Sequence, residues 1–255
     1  MCQTEQNQLL AALPQPVKDR IIPQLRRVEL PLAKVIYEAG QEISHVYFPN
    51  DCIISLIHET LDGHSAEVSV VGREGIAGIS VFMGATSTTS RTVVQSSGSA
   101  YRLSATDLNR EFENDATVRR LLLHYTQALI TQMAQTAVCN RHHTVFQQLC
   151  RWLLLSLDRL PSNELTVTQE LIANMLGVRR EGVTEAACKL QKLGVIRYRR
   201  GHITVMDRPR LEALCCECYA VARQETDRLS AAMEQLQPAI GPASSNRLAR
   251  VKQAG

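Results

Sequence analysis

From Leu121 to Asn140 the chain runs for twenty residues without one Asp, Glu, Lys or Arg. A helix with one face in water normally carries charge there, so an uncharged stretch of this length is expected to be covered on both faces. A membrane would provide cover, yet His124, Gln127, Gln132, Gln135 and four further polar residues, Asn140 among them, interrupt the apolar surface. Each would need an internal partner in hydrocarbon. Val118, Leu122, Leu129 and Met133 recur at helical separations, which predicts a long helix over 114–139 in a water-soluble protein. One of its faces would lie against the rest of the chain and the other against a second copy, with Thr and Gln between the partners. A central helix of a monomeric domain is the competing reading.

Ahead of this helix the texture is β. Val35–Tyr37, Val46–Phe48, Ile53–Ile57, Ala66–Val71, Thr92–Val94 and Ala100–Leu103 are short runs rich in Val, Ile and Tyr. Gly and Asn-Asp punctuate them at intervals of about 8–12 residues, the spacing of a small antiparallel barrel or roll. Gln8 to Arg27 reads as helical, interrupted by Pro14, Pro16 and Pro23. With 255 residues and 45% hydrophobic content the chain can bury two cores. The expected division is a roll over 1–113, the helix over 114–139, a second domain over 140–236 and a flexible basic tail over 237–255. That tail contains Gly241-Pro242-Ala243-Ser244-Ser245 and the basic residues Arg247, Arg250 and Lys252.

The second domain holds the most informative stretch. Thr168 is placed to cap a helix whose apolar face is Leu171, Ile172 and Met175. Gly177 follows where a turn needs a residue tolerant of positive φ, Val178 turns inward, and Val183, Ala187 and Leu190 form the stripe of a second helix. This is the pattern of a helix-turn-helix, whose second helix enters the DNA major groove. Leu193 to Val205 continues as two strands around a Gly turn, a basic wing. Charge supports the reading. The whole chain is only +3, but Leu165–Val205 holds seven basic residues (Arg179, Arg180, Lys189, Lys192, Arg197, Arg199, Arg200) against Glu170, Glu181 and Glu185, a local +4. Such concentration is the electrostatic footprint of phosphate binding. A hairpin used only for packing has no need of it.

The order of β roll, long helix and winged helix-turn-helix resembles the cyclic-AMP receptor protein/FNR (Crp/Fnr) family of bacterial transcription regulators, from about Leu9 to Leu211. The resemblance rests on Glu38-Ala39-Gly40, Val46-Tyr47-Phe48, Gly75-Ile76-Ala77-Gly78 and Arg91-Thr92 in the roll, and on Gly177 to Val183 in the DNA reader. It implies an α+β chain with a cyclic-nucleotide-binding-like β roll (a jelly roll), a dimerisation helix and a C-terminal winged helix-turn-helix. It also implies a cytoplasmic homodimer on double-stranded DNA with two-fold-related half-sites, responsive to a small-molecule effector not identified by these residues, and RNA polymerase as a further partner. Arg180 and Glu181 match the family's reading positions, the first as a donor to guanine and the second as an acceptor from cytosine. Gly182 and Glu185 depart from them, standing where Ser or Thr and a second Arg are usual, so a changed half-site is expected. Thr168 and Gln169 are expected at phosphates, and Arg179, Thr184, Lys189, Arg199 and Arg200 complete the expected DNA-binding set.

In the family's cyclic-nucleotide binders a carboxylate takes the ribose hydroxyl and an Arg-Ser/Thr pair holds the phosphate. Arg91-Thr92 is present here, but the carboxylate position in Arg73-Glu74-Gly75-Ile76-Ala77-Gly78 falls on Ile76. An isoleucine cannot accept that bond, and an unpaired buried polar group costs about 1–3 kcal/mol. Standard cyclic-AMP binding is therefore not expected, unless the alignment slips by two residues and Glu74 substitutes. Gly75, Ile76, Ala77, Arg91 and Thr92 are the expected effector-facing residues. The alternative pairs Arg91 with a nearby carboxylate and makes the roll a dimer scaffold.

Eight cysteines in 255 residues fall far below the roughly 8–10% of disulfide scaffolds and predict reduced thiols. Leu9–Leu13 follows Glu5 and is shorter than the about 7–15-residue core of a signal peptide, so secretion is not expected. Cys215-Cys216-Glu217-Cys218 offers a C-x-x-C spacing, which leaves a redox- or metal-sensing regulator as an alternative. No second pair matches, and the family's iron–sulfur members carry their cysteines near the N-terminus, where this chain has only Cys2. On a helix Cys215 and Cys218 would share a face and simply pack. His142 and His143, near the expected junction, can make polar contacts, bind haem or sense pH. No metal ligand and no cofactor is assigned on this reading.

Catalysis is not expected either. Ser80 lacks the second Gly of a nucleophile elbow, and the Gly72, Gly75, Gly78 spacing is neither a P-loop nor a dinucleotide fingerprint. A winged-helix module that binds protein is the remaining rival, distinguished by weak salt dependence of any DNA affinity.

Overall fold

The computed structural model describes residues 6–236; the tail expected at 237–255 lies outside them. Two short helices, α1 (Gln8–Ala12) and α2 (Gln15–Ile21), lead into the roll. The strands are β1 (Arg26–Leu30), β2 (Val35–Tyr37), β3 (His45–Pro49), β4 (Ile53–Glu59), β5 (Ser65–Val71), β6 (Arg91–Ser96) and β7 (Gly98–Ser104). They form two antiparallel sheets, β1-β7-β3 and β2-β6-β4-β5. Leu30, Val46, Ile54, Ile76, Val94 and Leu103 are buried between them. The helical reading of Gln8 to Arg27 is corrected at its end. Ile22–Gln24 is a 3-10 turn around Pro23, and Arg26 and Arg27 pair with Arg102 and Tyr101 in a strand.

After α3 (Ala105–Asn114), Asp115 caps the long helix α4 (Ala116–His142) by accepting from the N–H groups of Thr117 and Val118. Val118, Leu122 and Leu129 are buried against the roll, and Gln132 Oε1 accepts from Val70 N at 2.7 Å. The opposite face carries Leu123, Ile130 and Val138, 51%, 49% and 46% exposed in the single chain. With Gln127, Ala134 and Ala137 they make an exposed row at three- and four-residue steps along one face of α4.

The C-terminal unit begins with α5 (Val145–Leu157), started by a capping box between Thr144 and Gln147. It continues through β8 (Glu164–Thr166), α6 (Gln169–Leu176), α7 (Arg180–Lys192), β9 (Ile196–Arg199), β10 (His202–Val205), α8 (Arg208–Leu214) and α9 (Glu217–Leu236). The wing is a three-stranded sheet, β8-β10-β9, one strand more than the two expected. α9 packs along α4, and its Leu229 and Met233 join the core of the roll. The helix expected to carry Cys215 and Cys218 on one face is interrupted. α8 ends at Leu214 and α9 starts at Glu217, with Cys215 in an extended backbone (φ −79°, ψ 161°) between them.

This unit rests on the outer face of the four-stranded sheet. Ile53, Ile57, Val70 and Val93 share a core with Leu149, Trp152, Leu153 and Leu154. Polar contacts cross the same junction: Gln95 Nε2 donates to Ser156 Oγ at 2.9 Å, and Arg159 Nε to Glu74 Oε1 at 2.7 Å. Among the described residues no helix is long and apolar enough to cross a membrane.

Candidate nucleic-acid interface

The helix pair is built by local chemistry. Thr168 Oγ1 accepts from Leu171 N at 3.2 Å and starts α6; Gly177, at φ 64°, ends it in the left-handed region that a β-carbon disfavours. Val183, Ala186, Ala187 and Leu190 then bury one face of α7 in the core of the unit. The opposite face is exposed, and it carries Arg180, Glu181, Glu185 and Lys189 in successive turns. Arg179, the N-cap, makes no side-chain capping bond and is exposed as well.

The expected DNA-binding residues are not equally free. Thr184 Oγ1 donates toward Gln169 Oε1 at 2.8 Å and lies 3.0 Å from Arg180 O, so it joins the two helices and orients Gln169. The amide N–H groups of Gln169 have no partner among the described residues. Lys189 Nζ stands 4.5 Å from the centroid of the Phe146 ring, a cation–π contact that draws it toward α5. Gly182 faces Val145, whose methyls would meet an added β-carbon at 3.7 Å, and so it packs inward rather than presenting a reading side chain. At the wing, Arg200 (φ 49°) and Gly201 (φ 80°) close a two-residue hairpin, the turn in which both central residues take positive φ. Arg199 and Arg200 are exposed at its tip. Gln191 Oε1 accepts from Tyr198 N at 2.7 Å, which ties wing to helix.

Residues 147–214 match the family model of a Crp-like helix-turn-helix domain. The chain carries a Crp-like domain on a Crp/Fnr fold. A solved transcriptional regulator assigned to the Crp/Fnr family from Eubacterium rectale superposes with a TM-score of 0.64 at 18% identity, covering 81% of this chain and 96% of that one. FixK2 from Bradyrhizobium japonicum gives 0.64 at 17% identity, over 75% and 98%. The c-di-GMP-responsive global regulator CLP from Xanthomonas campestris gives 0.58 at 16%, over 76% and 100%. No curated protein matches the sequence significantly.

In this Crp/Fnr fold the expected effector-facing residues do not all point into the roll. Ile76 and Ala77 are buried in the roll, Ala77 bridging to Tyr47, and Gly75 lies under the ring of Tyr125. Alternation along β6 puts Thr92 inward with Val94. Arg91 falls instead on the side of Val93 and Gln95, which faces the C-terminal unit. There its Nε lies 3.2 Å from Glu38 Oε2 and its Nη1 3.1 Å from Glu59 Oε1. Glu74, the substitute carboxylate, is committed to Arg159.

Proposed function

We propose that the chain is a homodimeric, sequence-specific DNA-binding regulator of transcription. The observation that carries this reading is the exposed row Arg179, Arg180, Glu181 and Glu185 at the start of α7, flanked by the wing arginines Arg199 and Arg200. Arg180 can donate two bonds to guanine O6 and N7, and Glu181 can accept from cytosine N4. Arg199 and Arg200 meet phosphates, as do Thr168 and the free amide of Gln169 at the start of α6. Glu185 cannot make an Arg-to-guanine contact and favours a base with an exposed amino group.

The seam of Leu123, Gln127, Ile130, Ala134 and Ala137 on α4 is where a second copy docks, and two-fold symmetry then sets two half-sites about one helical turn, roughly 34–36 Å, apart. Selection from a random DNA pool by the purified protein tests the reading as a whole. A two-fold-related motif is expected, bound by a dimer that Ile130→Asp converts to monomer. Failure to enrich any motif, or DNA affinity indifferent to salt, would favour a protein-binding winged helix.

For the roll we propose an effector other than cyclic AMP held in the standard manner. Ile76 offers no acceptor for a ribose hydroxyl, and Arg91 is already neutralised by two carboxylates. Calorimetric titration should show no micromolar binding of cyclic AMP; such binding, lost in Arg91→Ala, would overturn the proposal.

A further inference from the structure

Cys139, His143, Cys216 and Cys218 come together where α4 ends and α9 begins. Cys139 sits in the last turn of α4 and His143 caps it, one helical turn on. Cys216 and Cys218 flank the first residue of α9. The helix break at Cys215 and Cys216 turns the second pair toward the first. One ligand atom from each of the four lies within 4.8 Å of every other. The three thiols are buried, and they form a small cluster separate from both cores.

The spacing is that of ligands sharing one ion. Sulfur at about 2.3 Å and nitrogen at about 2.1 Å from a tetrahedral zinc ion stand about 3.8 Å apart when both are sulfur and about 3.6 Å apart when mixed. Cys139 Sγ and Cys216 Sγ are 3.7 Å apart, and Cys218 Sγ and His143 Nδ1 are 3.6 Å apart. Packing of thiols for burial alone would not require an imidazole nitrogen at the fourth corner. An iron–sulfur cluster spreads its four ligands over more than one iron, so some of them stand farther apart than the 4.8 Å that holds all four here.

Two surrounding groups fit the same ion. His143 Nε2 lies 3.3 Å from Glu217 Oε1, so the nitrogen not facing the thiols is held by a carboxylate, the arrangement that orients a ligating histidine. Three thiolates and one imidazole around a divalent cation leave one net negative charge, which in a buried place needs a counter-charge. Arg151 is buried, and its Nη2 donates to Thr136 Oγ1, three residues before Cys139 on α4, which holds its positive charge at this end of the helix. Its Nε has no hydrogen-bond partner among the described residues.

We propose that Cys139, His143, Cys216 and Cys218 bind one zinc ion in a closed tetrahedral site. The ion ties the end of α4 to the start of α9, immediately before Thr144 opens the DNA-binding unit. Cys215 is not a ligand, although its thiol adjoins the site. All four corners come from side chains, so the site is structural, with no open position for substrate. The inference stands independently of the DNA reading.

The test is metal analysis of the full chain purified under reducing conditions from zinc-supplemented medium. One zinc per chain is expected, and Co2+ in its place should show the intense visible bands of a tetrahedral thiolate site. Cys139→Ser, Cys216→Ser and Cys218→Ser should each lose the metal, whereas Cys215→Ser and the distant Cys188→Ser should keep it. Because a buried ligand variant can fail to fold, Glu217→Gln provides a second measure. It should weaken zinc affinity by about 10- to 100-fold and leave the cobalt spectrum tetrahedral. Protein without metal after zinc supply, a Cys139–Cys216 disulfide in its place, or loss of metal in Cys215→Ser with retention in Cys139→Ser would each overturn the proposal.

Discussion

Arg159 Nε donates to Glu74 Oε1 across 2.7 Å at the junction of the roll and the C-terminal unit, with both side chains almost wholly buried. Glu74 also accepts from Gly72 N, and the Arg159 stem lies against Gly72 so closely that a β-carbon there would collide with it. The pair therefore fixes the contact between the two units. Removing one partner leaves the other charge buried and uncompensated. Glu74→Ala should cost about 3–5 kcal/mol in chemical denaturation. Glu29→Ala, which breaks the exposed contact with Arg27, should cost no more than about 1 kcal/mol. Equal effects would show that the junction does not depend on the pair.

A second buried carboxyl makes the same junction sensitive to pH. Burial pushes Glu67 up to about 7 from 4.5, against the partial opposition of Ser55, Arg151 and Arg159. Ser55 Oγ lies 2.5 Å from Glu67 Oε2 and 2.8 Å from Gln95 Oε1. One hydroxyl hydrogen cannot serve both at once, so Ser55 donates to Glu67 when the carboxyl is ionised and is released to Gln95 when it is protonated. The folded state holds this proton more tightly than the unfolded chain does. Its stabilisation is therefore full below pH 4.5 and is lost as pH rises through about 7, by about 3 kcal/mol. Denaturation profiles of the wild type and Glu67→Gln should diverge over that window, with the variant lacking the decline. Parallel profiles would refute the assignment.

Arg180 is expected to read a base. Arg180→Ala should weaken binding to the selected site by about 1–3 kcal/mol and relax preference at one base pair per half-site, with little change on random DNA. An equal loss on both DNAs would make Arg180 a phosphate contact.

The wing separates binding from stability at one residue. Arg200 holds φ at 49°, where a side chain costs about 1–2 kcal/mol that glycine avoids, less the roughly 0.5–1 kcal/mol that glycine loses on ordering. Arg200→Gly should leave thermal stability unchanged or raise it by up to about 1 kcal/mol, while the slope of DNA affinity against salt falls by about one phosphate per protomer. A destabilised variant would mean that the arginine supports the turn.

What the sequence by itself determined is what short-range chemistry encodes. The six strands of the roll picked out by β texture, the cap at Thr168, the left-handed turn at Gly177 and the buried stripe of α7 all depend on neighbours within a turn or a hairpin, and all stand where their periodicity puts them. The three-residue strand β8 and the arginines of β1 escaped because their pairing partners, His202 to Thr204 and Ala100 to Arg102, are far along the chain. Only the tertiary structure decided the rest. It turned Arg91 outward to Glu38 and Glu59, gave Glu74 to Arg159, and set Lys189 over Phe146. It also brought Cys139 within 3.7 Å of Cys216 across 77 positions of sequence. In each case the partner is chosen by how α5 and α9 pack back on the roll and on α4, a long-range arrangement that leaves no periodic trace in the residues it joins.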